Sequence, residues 1–149
     1  MRAVIQRVKF ASVTVNGQVT GRIGPGVVVF LGIHRNDTET ASDWMAEKIV
    51  NLRLFPDDDE KMNRSLADIG AEMLIVSQFT LYGDCRKGRR PGYSEAAPPE
   101  IAEPLYNTFI NQIIGKGIRT ASGTFQAKME VSLVNDGPVT LLVDSAKLF

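Results

Sequence analysis

The chain has one cysteine, one histidine, no net charge and no long apolar run, and each scarcity excludes something. Cys85 alone cannot form an internal disulfide. His34 is the only imidazole, so hydrolysis by a histidine-activated hydroxyl or thiol would have to run through it. The 17 basic and 17 acidic residues cancel, which leaves no global field to draw the protein to nucleic acid; any such contact must come from a local patch. The longest apolar run, Val27 to Ile33, is far short of the ~18 residues a membrane span needs. Met1-Arg2-Ala3-Val4-Ile5-Gln6-Arg7 lacks the uninterrupted apolar stretch of a secretory signal. These features lead us to expect a soluble cytoplasmic protein with no membrane partner. The sequence has no phosphate-binding Gly-Lys loop, dinucleotide fingerprint or zinc spacing, and so implies no cofactor. The acidic run Asp57-Asp58-Asp59-Glu60 lacks the alternating ligand spacing and turn glycine of a calcium loop, so no metal is expected.

What is present fits one domain over residues 1–149, long enough to bury roughly 70% of its unfolded surface. Val4 to Val8 reads as a strand, and Val13 to Thr20 alternates around Asn16-Gly17, a hairpin signal. Gly24-Pro25-Gly26 turns the chain into Val27–Ile33, a central strand covered on both faces. From an N-cap at Asp37 or Thr38, Ala41, Trp44, Met45, Ile49 and Leu52 recur at helical spacing. Leu52 to Phe55 is a short strand candidate. A second helix is expected to begin at Pro104, with Leu105, Phe109 and Ile113 on its buried face and Gly115-Lys116-Gly117 at its end. Met129–Leu133 and Val139–Val143 read as two strands joined by a turn. The pattern predicts an α+β fold: a mostly antiparallel, barrel-like sheet with two main helices.

Three stretches break this pattern. Glu72 to Val76 is apolar strand, yet the run continues through Ser77-Gln78-Phe79-Thr80 to Tyr82 with polar side chains that need partners if buried. They form either a pocket wall or a strand end bonded to its neighbours. Asn135-Asp136-Gly137-Pro138-Val139-Thr140 puts a proline, which cannot donate to a ladder, where a returning strand should begin. Arg86-Lys87-Gly88-Arg89-Arg90 places four cations in five residues just beyond the polar strand end. It is either a phosphate-binding patch or a solvated loop. Tyr93 nearby could stack on a base.

The Ser77–Leu81 segment, the Asn135–Thr140 segment and the opening Met1-Arg2-Ala3-Val4-Ile5-Gln6-Arg7-Val8 closely resemble the D-aminoacyl-tRNA deacylases, over essentially the whole chain. The resemblance implies hydrolysis of the ester of D-aminoacyl-tRNA, and of mischarged glycyl-tRNA, at the tRNA 3′ end. It implies that Ser77, Gln78, Phe79 and Thr80 hold the terminal adenosine while the substrate's own ribose assists, with Phe125 and Met129 lining the pocket. It further implies a homodimer with active sites at the subunit interface. There a cis Gly137-Pro138 turn from the second subunit, braced by Arg7, rejects L-aminoacyl groups. Arg86, Lys87, Arg89 and Arg90 are the expected tRNA contacts. Two positions depart from the family pattern. Phe125-Gln126-Ala127 stands where Phe-Gly-Ala is usual, and Gly92 where serine is common.

The chemistry suits such an ester, which is already activated and carries a vicinal hydroxyl, so the protein need mainly orient it. Backbone amides near Phe79 and Thr80 could stabilise the oxyanion. Thr80 is open to two roles, nucleophile or positioning group. Two rival readings are a noncatalytic RNA-binding β domain and a small-ester hydrolase working through His34.

Overall fold

The computed structural model describes residues 1–149. Strand β1 runs unbroken from Arg2 to Val15 and is reversed by Asn16-Gly17, both at positive φ, as the two central residues of a tight hairpin require. Strands β2 (Gln18–Ile23) and β3 (Gly26–Gly32) follow. Their register against β1 is continuous, from Ala11 opposite Ile23 to Arg2 opposite Gly32. The two are therefore one long antiparallel partner interrupted at Gly24-Pro25.

Helix α1 (Glu39–Asn51) starts after Thr38. The short strands β4 (Phe55–Pro56) and β5 (Met62–Arg64) form a separate two-stranded sheet. The acidic run between them is a turn: the Asp57 carboxylate accepts the backbone N–H groups of Asp59 and Lys61 and the Asn63 side-chain amide. One turn of helix, α2 (Leu66–Ile69), is capped reciprocally by Ser65 and Asp68. Then come β6 (Glu72–Ser77), α3 (Pro99–Gly115), β7 (Thr120–Ser122) and β8 (Glu130–Asp144).

The expected α+β class holds, with a mixed, nearly closed sheet. β8 lies antiparallel along β1, while β6 pairs in parallel with β3 and β7 with β6. Two close approaches need glycine. A Cβ on Gly26 would lie 1.9 Å from the Glu72 carbonyl oxygen, and one on Gly21 would lie 2.7 Å from that of Ser122, where β2 and β7 curl toward each other. The alternation along β3 and β6 sorts two cores. Val27, Val29, Leu31, Met73 and Ile75 face Met45 and Ile49 of α1 and Phe109 and Ile113 of α3. Val28, Leu74 and Val76 face inward onto Val8, Ala11 and Val13. Each such aliphatic side chain contributes roughly 1.5–3 kcal/mol when buried, which makes β3 and β6 the rigid base of whatever is built on their ends.

Three local expectations are corrected. The polar run is strand only as far as Ser77, where β6 stops; residues Phe79–Tyr82 form a 3-10 turn. The helix is not split at Pro104, because α3 runs through it; Pro104 lies on the exposed face with Glu100, whose freed carbonyl can be hydrated. The Asn135–Thr140 segment is not a hairpin between two strands. β8 continues through it, with Asn135 opposite Val8 and Thr140 opposite Gln6, so that residues 136–139 bulge out opposite Arg7.

Candidate active site

At the end of β6 the Gln78 N–H still bonds the Leu31 carbonyl at 2.8 Å, and the chain then folds over Gly32, where a Cβ would lie 3.0 Å from both the Gln78 oxygen and the Leu81 side chain. This crossing forces the 3-10 turn. As its first residues, Phe79 and Thr80 have N–H groups with no carbonyl behind them in the turn.

Beside the turn opens a cavity of about 910 Å³. Ser77, Gln78 and Phe79 form one wall; the Tyr93–Pro99 segment and Phe125, Met129 and Val131 form the others. The fold thus brings Phe125 and Met129 to the strand end, across the cavity from Ser77 and Gln78. Thr80 is exposed beside the mouth, and its hydroxyl accepts a hydrogen bond from the Gln78 side-chain amide. Phe79 and Tyr93 meet edge to face, with centroids 5.2 Å apart, and make an aromatic lip. Beneath the cavity the buried Tyr106 hydroxyl donates to the Ile75 carbonyl at 2.8 Å and pins α3 to β6; burial pushes its pKa up, so it stays a proton donor. Sequence reasoning missed Tyr106, although its place next to Leu105 on the apolar stripe was a usable signal. It also missed Arg35 and the 94–99 wall, which no local pattern marks.

His34 is engaged elsewhere. Its Nδ1 accepts the Asn36 backbone N–H at 3.1 Å, so Nε2 carries the proton and donates to Glu95 at 2.9 Å. Arg35 bonds the same carboxylate at 3.2 Å. With both ring nitrogens occupied, His34 is not free to activate a hydroxyl. Instead the cluster ties Glu95, which lies between the wall residues Ser94 and Ala96, to the residues following β3, helped by the Ala97 N–H to the Ile33 carbonyl. The His34 hydrogen bond, then the Arg35 charge, hold the Glu95 carboxyl below its ordinary range. The contribution to stability is complete above the ordinary Glu value, near ~4.3, and is lost as pH falls through the lower folded value. In His34→Ala the Glu95 carboxyl, followed by carbon NMR, is expected to titrate at higher pH than in the parent, while hydrolytic activity stays within a few-fold. A hundredfold loss of activity would return His34 to the catalytic machinery.

Arg7 and the Gly137–Pro138 segment meet each other but not this cavity. The Arg7 Nε donates to the Asp136 carbonyl at 3.1 Å and Nη1 to the Leu54 carbonyl at 2.5 Å, and Asp136 adds an ion pair at 3.5 Å. The Gly137–Pro138 bond is cis, and Gly137 has φ 125, a value that side chains rarely adopt. A Cβ there would lie 2.8 Å from Val139 Cγ2.

Residues 4–144 match the family described as D-Tyr-tRNA(Tyr) deacylase. The chain belongs to this family. It is 61% identical to the D-aminoacyl-tRNA deacylase of Desulfotalea psychrophila and 58% identical to that of Desulfitobacterium hafniense, each over 149 residues and the full length of both chains. Among solved structures it is similar to the c-Myc DNA unwinding element binding protein, with a TM-score of 0.91 and 44% identity over 97% of this chain and 98% of that one. The fold also matches a probable eukaryotic D-amino acid tRNA deacylase, with a TM-score of 0.83 and 20% identity over 95% and 97%.

For a member of this deacylase family, the basic loop beyond the cavity gains weight. Asp84 and Gly92 exchange backbone hydrogen bonds and close the loop into a hairpin. Within it Arg86 binds Asp84 through two nitrogens, at 2.8 and 2.7 Å, and holds that carboxyl well below the usual range. Arg86 is thus paired within the loop, whereas Lys87, Arg89 and Arg90 are exposed without such a partner. Replacing Arg89 and Arg90 together by Ala is expected to weaken tRNA binding and to reduce the slope of log K against log salt by about 0.7–0.9 per lost phosphate contact. An unchanged slope in a filter-binding titration would assign the loop to solvent.

Proposed function

We propose that this chain hydrolyses the ester between a D-amino acid and the terminal ribose of tRNA, and that glycyl esters enter the same site. Family membership supplies the reaction class. The observation that carries the site is a roomy cavity walled by Ser77, Gln78 and Phe79 at the end of β6, with apolar walls behind, where the Phe79 N–H and that of the adjoining Thr80 have no backbone partner. The 3′-terminal adenosine enters the cavity, and its ester carbonyl is presented to those N–H groups. Water adds to the carbonyl carbon, and the developing oxyanion receives the two donors, an effect of several kcal/mol in a dry site. The carbon–oxygen bond to the ribose then breaks, leaving free amino acid and a free terminal hydroxyl. The vicinal ribose hydroxyl positions the water, since no side-chain base stands free at the strand end. Thr80 acts by positioning: its oxygen already receives the Gln78 amide, which draws electron density away from it and disfavours nucleophilic attack.

The selectivity element is the Gly137–Pro138 bulge, which reaches the cavity from a second copy of the chain. Three features support a homodimer with the site at its interface. β8 pairs only with β1, so one long edge is open. Phe10, Val134 and Leu142 expose apolar surface along this pair. Asn135 Oδ1, at the base of the bulge, is buried without a partner. An L side chain would meet the bulge, whereas a D side chain or the hydrogen of glycine would not, so that selectivity rests on a clash with the wrong substrate.

The test is D-tyrosyl-tRNA and L-tyrosyl-tRNA incubated side by side with the protein, with sedimentation giving the mass of the species. Hydrolysis of the D ester alone, by a particle twice 16.3 kDa, is expected. Salt-sensitive tRNA binding without turnover of either ester would leave an RNA-binding domain instead.

A further inference from the structure

Four residues other than glycine have positive φ: Asn16, Glu60, Gln126 and Lys147. Asn16 belongs to the Asn-Gly hairpin turn, where this conformation is normal; Glu60 lies in the β4–β5 connection, and Lys147 near the C-terminus. Gln126 is the one that lines the cavity. The Ala127 N–H bonds the Thr124 carbonyl at 3.2 Å, so residues 124–127 form a four-residue turn with Gln126 third, at φ 60. Turns that need positive φ at this position take Gly or Asn, and a glutamine there is strained relative to either. The fold alone therefore favours a smaller residue.

The surroundings show what the side chain can do. Phe125, Ala127, Met129 and Val131 make the same wall apolar, suited to the face of a planar ring, and Gln126 puts an exposed carboxamide at its rim. A carboxamide presents an N–H donor and a C=O acceptor side by side. That pair complements an adenine edge, where the exocyclic amine lies next to a ring nitrogen, and single-stranded RNA bases are read at such edges beside apolar and aromatic contacts. Resting on the function proposed above, we propose that Gln126 reads the edge of the terminal adenine and is a specificity-determining residue of this site.

The probes are two non-hydrolysable 3′-amide analogues, D-tyrosyl-aminoadenosine and its purine counterpart lacking the 6-amino group, titrated calorimetrically into the full-length protein. The parent is expected to bind the adenine analogue about 5- to 20-fold more tightly, the lower part of the range for a bidentate base contact. Gln126→Gly is expected to bind both alike, with Tm unchanged or higher because the strain is removed. Gln126→Asn, which tolerates the same backbone but is one methylene shorter, separates reach from conformation and should keep less than half of the preference. A parent without any preference, or a Gln126→Gly variant that retains it, overturns the assignment while binding itself still supports the deacylase reading. Failure of the parent to bind either analogue overturns that reading and the inference with it.

Discussion

Gln78→Ala and Thr80→Ala, made separately, are expected to slow hydrolysis of D-tyrosyl-tRNA by about 10- to 100-fold, up to ~2.7 kcal/mol of transition-state stabilisation, with Tm almost unchanged. The split between activity and stability follows from where these side chains lie. Neither belongs to either hydrophobic core; Thr80 is exposed, and Gln78 contributes to the architecture through its backbone N–H to Leu31, which alanine preserves. What each variant loses is the amide-to-hydroxyl hydrogen bond that fixes both groups at the cavity mouth. The loss should appear in kcat under single-turnover conditions, with KM changing less, because the pair orders the reacting end of the substrate and not its whole length. Thr80→Ser keeps the acceptor oxygen and should recover most of the rate. If both alanine variants match the parent, the polar strand end is architecture only.

Arg7→Ala should act on selectivity. The guanidinium spans two carbonyls, of Asp136 and Leu54, and its side chain is only 11% exposed. It stands opposite residues 136–139, which have no ladder partner of their own. Removing it leaves two half-buried acceptors without their charged donor, a cost of about 1–3 kcal/mol for each that water does not reach, and frees the bulge to shift. If that bulge excludes L-aminoacyl groups in a dimer, the L-to-D ratio of deacylation rates on tyrosyl-tRNA should rise at least tenfold. Arg7→Lys should fall between, since an ammonium cannot span two carbonyls as a planar fork does. An Arg7→Ala protein that is measurably less stable but discriminates as before would detach the bulge from selectivity and leave Arg7 a structural brace.

Much of this molecule is legible locally. A short apolar run bounded by Gly24-Pro25-Gly26 marks β3, helical spacing marks α1 from Thr38, and Asn16-Gly17 marks its hairpin, because strand burial, helix pitch and turn geometry act over a few residues and leave their pattern in the chain. The motifs at Ser77–Leu81 and Asn135–Thr140 carried the family, and with it the reaction class. Other features were decided only when distant segments met. Ser77–Tyr82 has a strand-like composition, yet it turns at Ser77 because β3, its partner, ends at Gly32. Pro104 stays within α3 because packing of Leu105, Tyr106 and Phe109 outweighs one lost hydrogen bond on the wet face. The Asn135–Thr140 segment carries hairpin chemistry, but β1 is long enough to pair with both of its flanks, so it became a bulge over Arg7. Likewise the charge of Arg86 was legible in the sequence and its engagement by Asp84 was not. Conformation within a turn or a helix is set by neighbours in the chain; where a strand stops, which cation stays free and which side chains share a cavity are set by contacts between segments far apart in sequence, and those exist only in the folded chain.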